Sequence, residues 1–443
     1  MKESTLNVFK KVGFVLAAIL LSLLIYYIER DNFVFYILFA SIIILVLAEN
    51  SNNSKYTWLL VFLIAVPFFN DGYLEFQLMQ DWMMDNAKIA SFVVLCILMI
   101  MKKRSPSKLW FSLLAMQIWW FIATMLNYPL SDSETFHKLF MDILNILSLG
   151  LIIEVFKDKT EALMSGLMLN FELCIYPEII SIIYEFPSYM YYILGYYSLT
   201  ILWMLPAIVV STLYIIKTKK YLRASLLIAG SVVLIFMLSC ATITVAFMGM
   251  AFVLILAYVM SKIDKLKNIK IPAWLLLLIA LFGNIFVLFI YTGGKMPLID
   301  FFIEKALHRD TTFTSRTIIW ENAMNMIKES PIIGHGFRPE VLGFDDRIYI
   351  HAHNQILQQL NSCGVIGLLF FLFFHFVLVF KIDKNKNSFP RTFTLAACFA
   401  VWITYLTEAY KKSFRLYLVF FIAYHIDDII VNKISQKEKL NNL

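Results

Sequence analysis

Two stretches of this chain hold residue types that can do chemistry. His351 to Gly367, HAHNQILQQLNSCGVIG, places two histidines and five amide side chains directly before the apolar run LLFFLFFHFVLVF. Upstream, SRTIIWENAMNMIKESPIIGHGF (315–337) puts Arg316 in the first turn of a predicted helix. Near neutral pH an imidazole such as that of His353 can take a proton from a hydroxyl group. The arginine fork can make paired hydrogen bonds to phosphate oxygens. An arginine in a first turn is electrostatically misplaced for helix stability, which favours an anionic partner. If Ser315 caps that helix, free backbone N–H groups add to the same anion site. The competing readings are structural: a histidine satisfied by neighbouring loops, and a surface arginine paired with Glu321 or Asp310. A zinc site built from His335, His351 and His353 is disfavoured, because His-x-His on a helix does not aim both rings one way.

The elements that must position these groups belong to a membrane. Hydrophobic residues make up 60% of the chain, Phe alone appears 40 times, and charged residues make up only 16%. Apolar runs of about 17–25 residues recurring along a chain mean a polytopic helical membrane protein. They are apolar on all sides, whereas the strands of a closed barrel alternate. The first run, VGFVLAAILLSLLIYYI, has no small-residue cleavage site after it and reads as a retained span. The five cysteines are scattered with no C-x-x-C spacing, so they imply neither a disulfide framework nor a zinc site.

The expected fold is therefore an all-α polytopic membrane protein with about 14 transmembrane helices (12–14). The spans fall near 12–28, 33–48, 57–69, 88–101, 109–126, 140–156, 162–184, 198–216, 224–238, 242–260, 273–292, 364–380, 392–410 and 415–432, the short third being a span or a re-entrant piece. The net charge of +7 reads as a topology signal and implies no nucleic-acid partner. With the N-terminus in the cytoplasm, KKRSPSK, KTKKYLR, KIDKLKNIK, KIDKNKNSFPR and the tail KISQKEKL all fall on the cytoplasmic side, the positive-inside pattern. Both termini are then cytoplasmic.

This divides the chain into an N-terminal bundle (1–292, about 11 spans), a large extracytoplasmic loop (293–363), and C-terminal spans with a tail (364–443). The loop holds four of the chain's seven histidines. Two segments in it, DFFIEKALHR (300–309) and SRTIIWENAMNMIKE (315–329), carry apolar residues at helical spacing and should form short amphipathic helices. His353, Leu357, Leu360, Gly364 and Gly367 are spaced 4, 3, 4, 3, which predicts one stripe of one helix. On that reading His353 faces the packed side and His351 points elsewhere. The glycines would then admit a neighbouring helix.

Arg316, Trp320, the Pro331-x-x-Gly334-x-Gly336 turn and His353-Asn354-x9-Gly364-x-x-Gly367 together resemble the O-antigen ligase and polymerase family of membrane glycosyltransferases. The resemblance implies His353 as the essential histidine and Arg316 as the loop arginine, with Asn354 and His351 beside them as substrate-binding candidates. It also implies a donor glycan carried on undecaprenyl diphosphate, which leaves as the lipid diphosphate. Members commonly carry a second arginine on a mid-chain outer hairpin. The corresponding MLSCATITVAFMG (237–249) offers Ser239, Thr242 and Thr244 instead. Substitute cations would be Lys411, Lys412 and Arg415 of the KKSFR turn, with Arg309 and Arg338 as further candidates; local pairing with Glu408 or lipid headgroups is the structural alternative for the turn.

The implied function is a polysaccharide polymerase at the outer face of the bacterial cytoplasmic membrane, inverting, without metal or cofactor. It would join repeat units of O-antigen, capsule or exopolysaccharide. A ligase moving finished glycan to another acceptor would use the same residues. A lipid-linked oligosaccharide flippase is the alternative from another class, though no internal repeat of two related halves is evident. A chain-length regulator and a flippase are the partners the resemblance implies. Glu172 and Glu178, inside a predicted span, either line a polar cavity or bond helix to helix. The tyrosine-rich YEFPSYMYYILGYY (184–197) reads as an interfacial belt or as a sugar-stacking surface.

Overall fold

The computed structural model describes residues 46, 56–69, 81–184, 191–192, 194–238, 240–293, 316–337, 339, 341–342, 348–349, 351–409 and 414–430. In chain order the helices are α1 (Thr57–Phe69), α2 (Asp81–Met101), α3 (Lys108–Asn127), α4 (Ser133–Phe156), α5 (Thr160–Ile183), α6 (Ile201–Thr218), α7 (Leu222–Leu238), α8 (Ala241–Lys262), α9 (Ala273–Gly293), α10 (Arg316–Glu329), α11 (Gln355–Lys384), α12 (Phe389–Thr404), α13 (Phe414–Tyr424) and α14 (Ile426–Ile430). Two antiparallel pairs of two-residue strands, β1 (Tyr191–Tyr192) with β2 (Gly195–Tyr196) and β3 (Val341–Leu342) with β4 (Ile348–Tyr349), and a 3-10 turn at Tyr197–Thr200 complete the described elements. The protein is mostly helical, and among the described residues seven helices are long and apolar enough to cross a membrane. The first two expected spans, and the expected helix over 300–309, lie outside the described residues.

The chain forms two compact units. One comprises residues 1–106, 148–234 and 428–443; the other comprises 107–147 and 235–427. In the first, α5 packs on α1 and α6. A Cβ at Gly166 would lie 2.5 Å from the Trp58 carbonyl oxygen, so only glycine lets α1 and α5 approach this closely. Pro67 sits inside α1, and the Phe69 carbonyl near its end accepts the Trp203 indole N–H at 3.2 Å. Glu172 forms a two-pronged ion pair with Arg223 (2.7 and 2.8 Å), and Glu178 accepts the Leu194 N–H at 3.0 Å. Of the two readings of these carboxylates, the helix-bonding one describes Glu172.

In the second unit α11 runs beside α3, α9 and α10, while α12 packs against α8 and α13. Ser388 caps α12 by accepting the Arg391 N–H at 3.3 Å, with a proline in the first turn. Arg391 is fully buried yet donates to Ile382 O (2.9 Å), Ile271 O (3.0 Å) and Asp383 Oδ1 (2.9 Å). Asp383 Oδ1 also accepts the Ala273 N–H at 2.7 Å, at the first residue of α9. This cluster ties the starts of α9 and α12 to the end of α11. Breaking a buried ion pair by removing one partner typically costs about 3–5 kcal/mol. Arg391→Leu is therefore expected to lower the thermal midpoint of the detergent-solubilised protein sharply, read by differential scanning fluorimetry.

Two expected span boundaries differ for a physical reason. The run 392–410 is helical only to Thr404, and α11 begins at Gln355 rather than at 364. Past Thr404 the chain unwinds, and the Tyr405 and Leu406 carbonyls so released accept N–H groups from the start of α11 and from Asn284. Irregular backbone inside a membrane protein persists where protein groups satisfy it.

Candidate active site

The site is built on the second unit, where a turn is threaded against a broken helix. α11 carries non-helical backbone at Gly364 (φ +62°, ψ −168°). The Val365 N–H donates to Pro331 O at 2.9 Å and the Ile366 N–H to Ile332 O at 3.4 Å. In return, the His335 and Gly336 N–H groups donate to Asn361 O and Ser362 O, both at 2.8 Å. The turn Pro331–Gly336 thus supplies the bonds that the break in α11 leaves open. Gly334 and Gly336 both have φ +78°, and a Cβ on Gly334 would lie 2.5 Å from the Cys363 nitrogen. α3 pins the assembly: Trp119 Nε1 donates to Cys363 O (2.9 Å), Asn127 to Gly334 O (3.0 Å) and the Tyr128 hydroxyl to Phe337 O (2.7 Å). The expectation that both glycines admit a neighbouring helix is corrected at Gly364, which admits the turn. At Gly367 a Cβ would lie 2.0 Å from Cys363 Cβ of α11 itself and 3.3 Å from Trp119 on α3, so this glycine serves the broken helix first and its neighbour second.

Asn354 starts α11. It is fully buried, its Oδ1 accepts the Leu357 N–H (3.0 Å), and its amide donates to Asn284 Oδ1 (2.9 Å) and Leu406 O (3.1 Å). His353 therefore lies one residue outside the helix, with φ +47°, a left-handed conformation uncommon for a side-chain-bearing residue. The five-residue stripe beginning at His353 is thus corrected, since the stripe's first member is off the helix and the helix breaks at its fourth. Gln358 Oε1 holds the Ala352 N–H at 2.8 Å and Tyr405 O accepts the Gln355 N–H at 3.0 Å, fixing the backbone on either side of His353. Strain of this kind, overdetermined by its surroundings, is what functional sites store.

His353 Nδ1 lies 3.3 Å from Glu408 Oε2, and Arg316 Nη2 donates to Glu408 Oε1 at 2.8 Å. The two sequence candidates thus share one carboxylate, which sequence reasoning considered only as a partner of the KKSFR turn. Arg316 is the first residue of α10, held by Trp320, which is fully buried against Ala352 and Leu357. Among the described residues its partner is Glu408 and not Glu321, while Asp310 lies outside them. Ser315 lies outside the described residues. Burial raises the Glu408 carboxyl, but the His353 hydrogen bond and the Arg316 charge outweigh it and hold the group below its ordinary range. A carboxylate can only accept, so Nδ1 of a neutral His353 carries the proton and Nε2 the lone pair.

The His351 ring stands edge-on to that of His353, centroids 4.1 Å apart. The mid-chain hairpin also reaches this place. Thr242 and Thr407 hydroxyls are 3.1 Å apart, and the Cys240 thiol, pushed up by burial, feels both Glu408 and Arg316. Arg415 is buried at the start of α13. Arg309, Arg338, Lys411 and Lys412 lie outside the described residues, and His335 Nε2 is bonded to Met326 O at 2.8 Å within the turn. The signal for Glu408 was present in WITYLTEAY (402–410), a lone carboxylate closing an apolar run, where charge is costly. Asn284, alone in LFGNIFVL, carried the same kind of signal.

Residues 226–372 match the family model described as O-antigen ligase. A polysaccharide ligase by name from Rickettsia felis is 27% identical over 147 residues, 30% of this chain and 35% of that protein. A second protein of that name from Rickettsia conorii is 26% identical over 147 residues (30% of this chain, 34% of that protein). The exopolysaccharide production protein ExoQ of Rhizobium meliloti is 30% identical over 104 residues (20% and 23%). The chain spans about a third of the length of the Rickettsia relatives it matches. Most of the site falls inside the matched segment, with Arg316, the glycine turn, His353 and Asn354 within it and Glu408 beyond it. The chain is an integral membrane protein whose residues 226–372 are similar to the O-antigen ligase family.

Proposed function

We propose that this protein is a membrane glycosyltransferase that joins polyprenyl-diphosphate-linked oligosaccharide repeat units at the outer face of the cytoplasmic membrane, extending a polysaccharide. The observation that carries this reading is the shared carboxylate: Glu408 ties a histidine on one oxygen to an arginine on the other. A bound, buried carboxylate beside a histidine orients the ring and stabilises the imidazolium that forms when it takes a proton.

The acceptor hydroxyl oxygen attacks the anomeric carbon of the donor glycan while the bond from that carbon to the diphosphate oxygen breaks. The hydroxyl proton passes to His353 Nε2, and the bonding pair leaves with the lipid diphosphate. Attack opposite the departing group inverts the anomeric centre. The diphosphate already carries its charge well, so no strong general acid is required. Arg316, with Nη2 as its one partnered nitrogen among the described residues, turns its other N–H groups to the diphosphate. Arg415 and the lysines of the same connection supply further positive charge in place of the absent hairpin arginine. The positive-inside pattern of the basic connections supports a site outside and termini inside. A chain-length regulator and a flippase act alongside.

The test is the surface glycan of cells carrying His353→Ala or Arg316→Ala, resolved on a gel beside protein abundance. A polymerase predicts normal abundance with the long-chain ladder collapsed to single repeat units. The ligase reading draws on the names of the Rickettsia relatives. It predicts an intact ladder that stays on its lipid carrier. Unchanged long surface polymer in both variants overturns the transferase reading and favours the flippase.

A further inference from the structure

Beside the histidine segment lies a cleft whose polar groups the proposed chemistry does not use. It is formed by α3, α4, α11 and α13 and is open at its mouth. Gln117 and Trp120 of α3 face Gln355, Gln358 and Ser362 of α11, with Tyr417 of α13 nearby in the lining. Among the described residues no lysine, arginine, aspartate or glutamate lines it. Gln117 and Gln355 are 2% and 5% exposed, and the Oε1 atom of each has no hydrogen-bond partner among the described residues. By contrast both ends of the Gln358 amide are partnered, Oε1 accepting from the Ala352 N–H and Nε2 donating to the Ser362 hydroxyl at 2.7 Å. Buried amide oxygens are ordinarily satisfied, so two unsatisfied ones on facing helices of one cleft point to a ligand.

The chemistry of the lining selects the ligand class. A diphosphate needs cations or clustered donors, and the lining holds no cation. A hydrocarbon tail would leave both amides without partners. A hydroxyl both donates and accepts, so it satisfies a carboxamide whichever way the amide is turned. The indole and phenol rings give the apolar faces on which a sugar ring can lie, with few polar groups fixing its orientation. We propose that this cleft seats a neutral sugar residue of the glycan, its hydroxyls bonded by Gln117 and Gln355. The proposal rests on the transferase reading and adds to it the place that recognises the sugar. Gln355 stands two residues after His353, so a sugar held here is held next to the reacting end of α11.

The experiment uses the full chain in nanodiscs and, as probe, the free oligosaccharide released by mild acid from the host's lipid-linked repeat units. Binding is read by titration calorimetry on the parent protein and on His353→Ala, Gln117→Leu and Gln355→Leu. The parent protein should bind, and each glutamine variant should bind at least tenfold more weakly than the parent. Leucine removes an unsatisfied buried amide, so a purely structural glutamine predicts an equal or higher thermal midpoint with binding unchanged. That result overturns the proposal, as does a parent protein that fails to bind. Transfer is scored separately. If His353→Ala still forms polymer while the glutamine variants lose binding, the transferase reading falls and the cleft stands. If polymer is lost in His353→Ala but the probe never binds, only the cleft assignment falls.

Discussion

His353→Ala should lower the rate of glycan transfer by the purified protein about 10²–10⁴-fold, the usual worth of a positioned general base. Glu408→Gln should cost about 10–100-fold, the scale of losses when an orienting partner is removed. In the His353→Ala background the same Glu408→Gln change should cost far less, because the carboxylate acts through the ring. Two groups that work as a unit are not additive, and a double-mutant cycle on initial rates measures that directly. Independent additive losses would separate Glu408 from His353 and leave it as a counter-ion for Arg316 alone. Glutamine keeps the shape and removes the charge, so protein abundance should hold better than for Glu408→Leu.

The same carboxylate sets a pH expectation. Glu408 is held below its ordinary value of 4.5 in the folded protein. A depressed carboxyl contributes stability that is fully present above its unfolded pKa and is lost as pH falls through the folded one. The stability gap between the parent protein and Glu408→Gln should therefore not close between neutral pH and about 5, and should close only below 4.5. Thermal midpoints measured across that range would show it. A gap that closes near neutrality would mean that the carboxylate is protonated there and does not hold the histidine as described.

Much of the scaffold was legible. Apolar length placed α3, α5, α8 and α9 within a few residues, because a run that must satisfy its own backbone has little choice but helix. Helical spacing also found α10, whose Ile319, Trp320 and Ala323 share one buried face. Around His353 the reading was partial. The pattern of residue types located the site, but the stripe from His353 to Gly367 assumed an unbroken helix. Sequence spacing carries no sign of the break at Gly364 or of the left-handed turn at His353, since both are imposed by distant partners. Pro331 and Ile332 supply carbonyls to the first, while Asn284, Tyr405 and Leu406 fix the second. Glu408 was hidden in the same way: its role exists only because α12 ends early and brings it to α10 and α11. Local rules find elements, and these residues are defined by partners that lie far away along the chain.

Gly364→Ala tests whether the site depends on that threaded turn, and it should be the most damaging small substitution in the second unit. The residue sits at φ +62°, ψ −168°, a region that is essentially glycine's alone and costs other residues about 1–3 kcal/mol. A Cβ there would also lie 2.1 Å from Ile332 O, and a backbone atom cannot swing aside as a side chain can. Relieving that contact means pushing the turn off α11, adding about 1–3 kcal/mol of overpacking and opening the Val365 to Pro331 bond. Gly283→Ala in α9 is the control. Its added methyl meets only Leu406 Cδ2 at 3.6 Å, an ordinary contact, and alanine is the better helix former. Thermal unfolding in detergent should leave Gly283→Ala at or above the parent midpoint and drop Gly364→Ala well below it. Transfer should fail in Gly364→Ala even in the fraction that stays folded, because displacing the turn moves α10, and Arg316 with it, away from Glu408. A folded, active Gly364→Ala would mean that α11 can run straight through this point, and that the glycine pair serves helix packing alone.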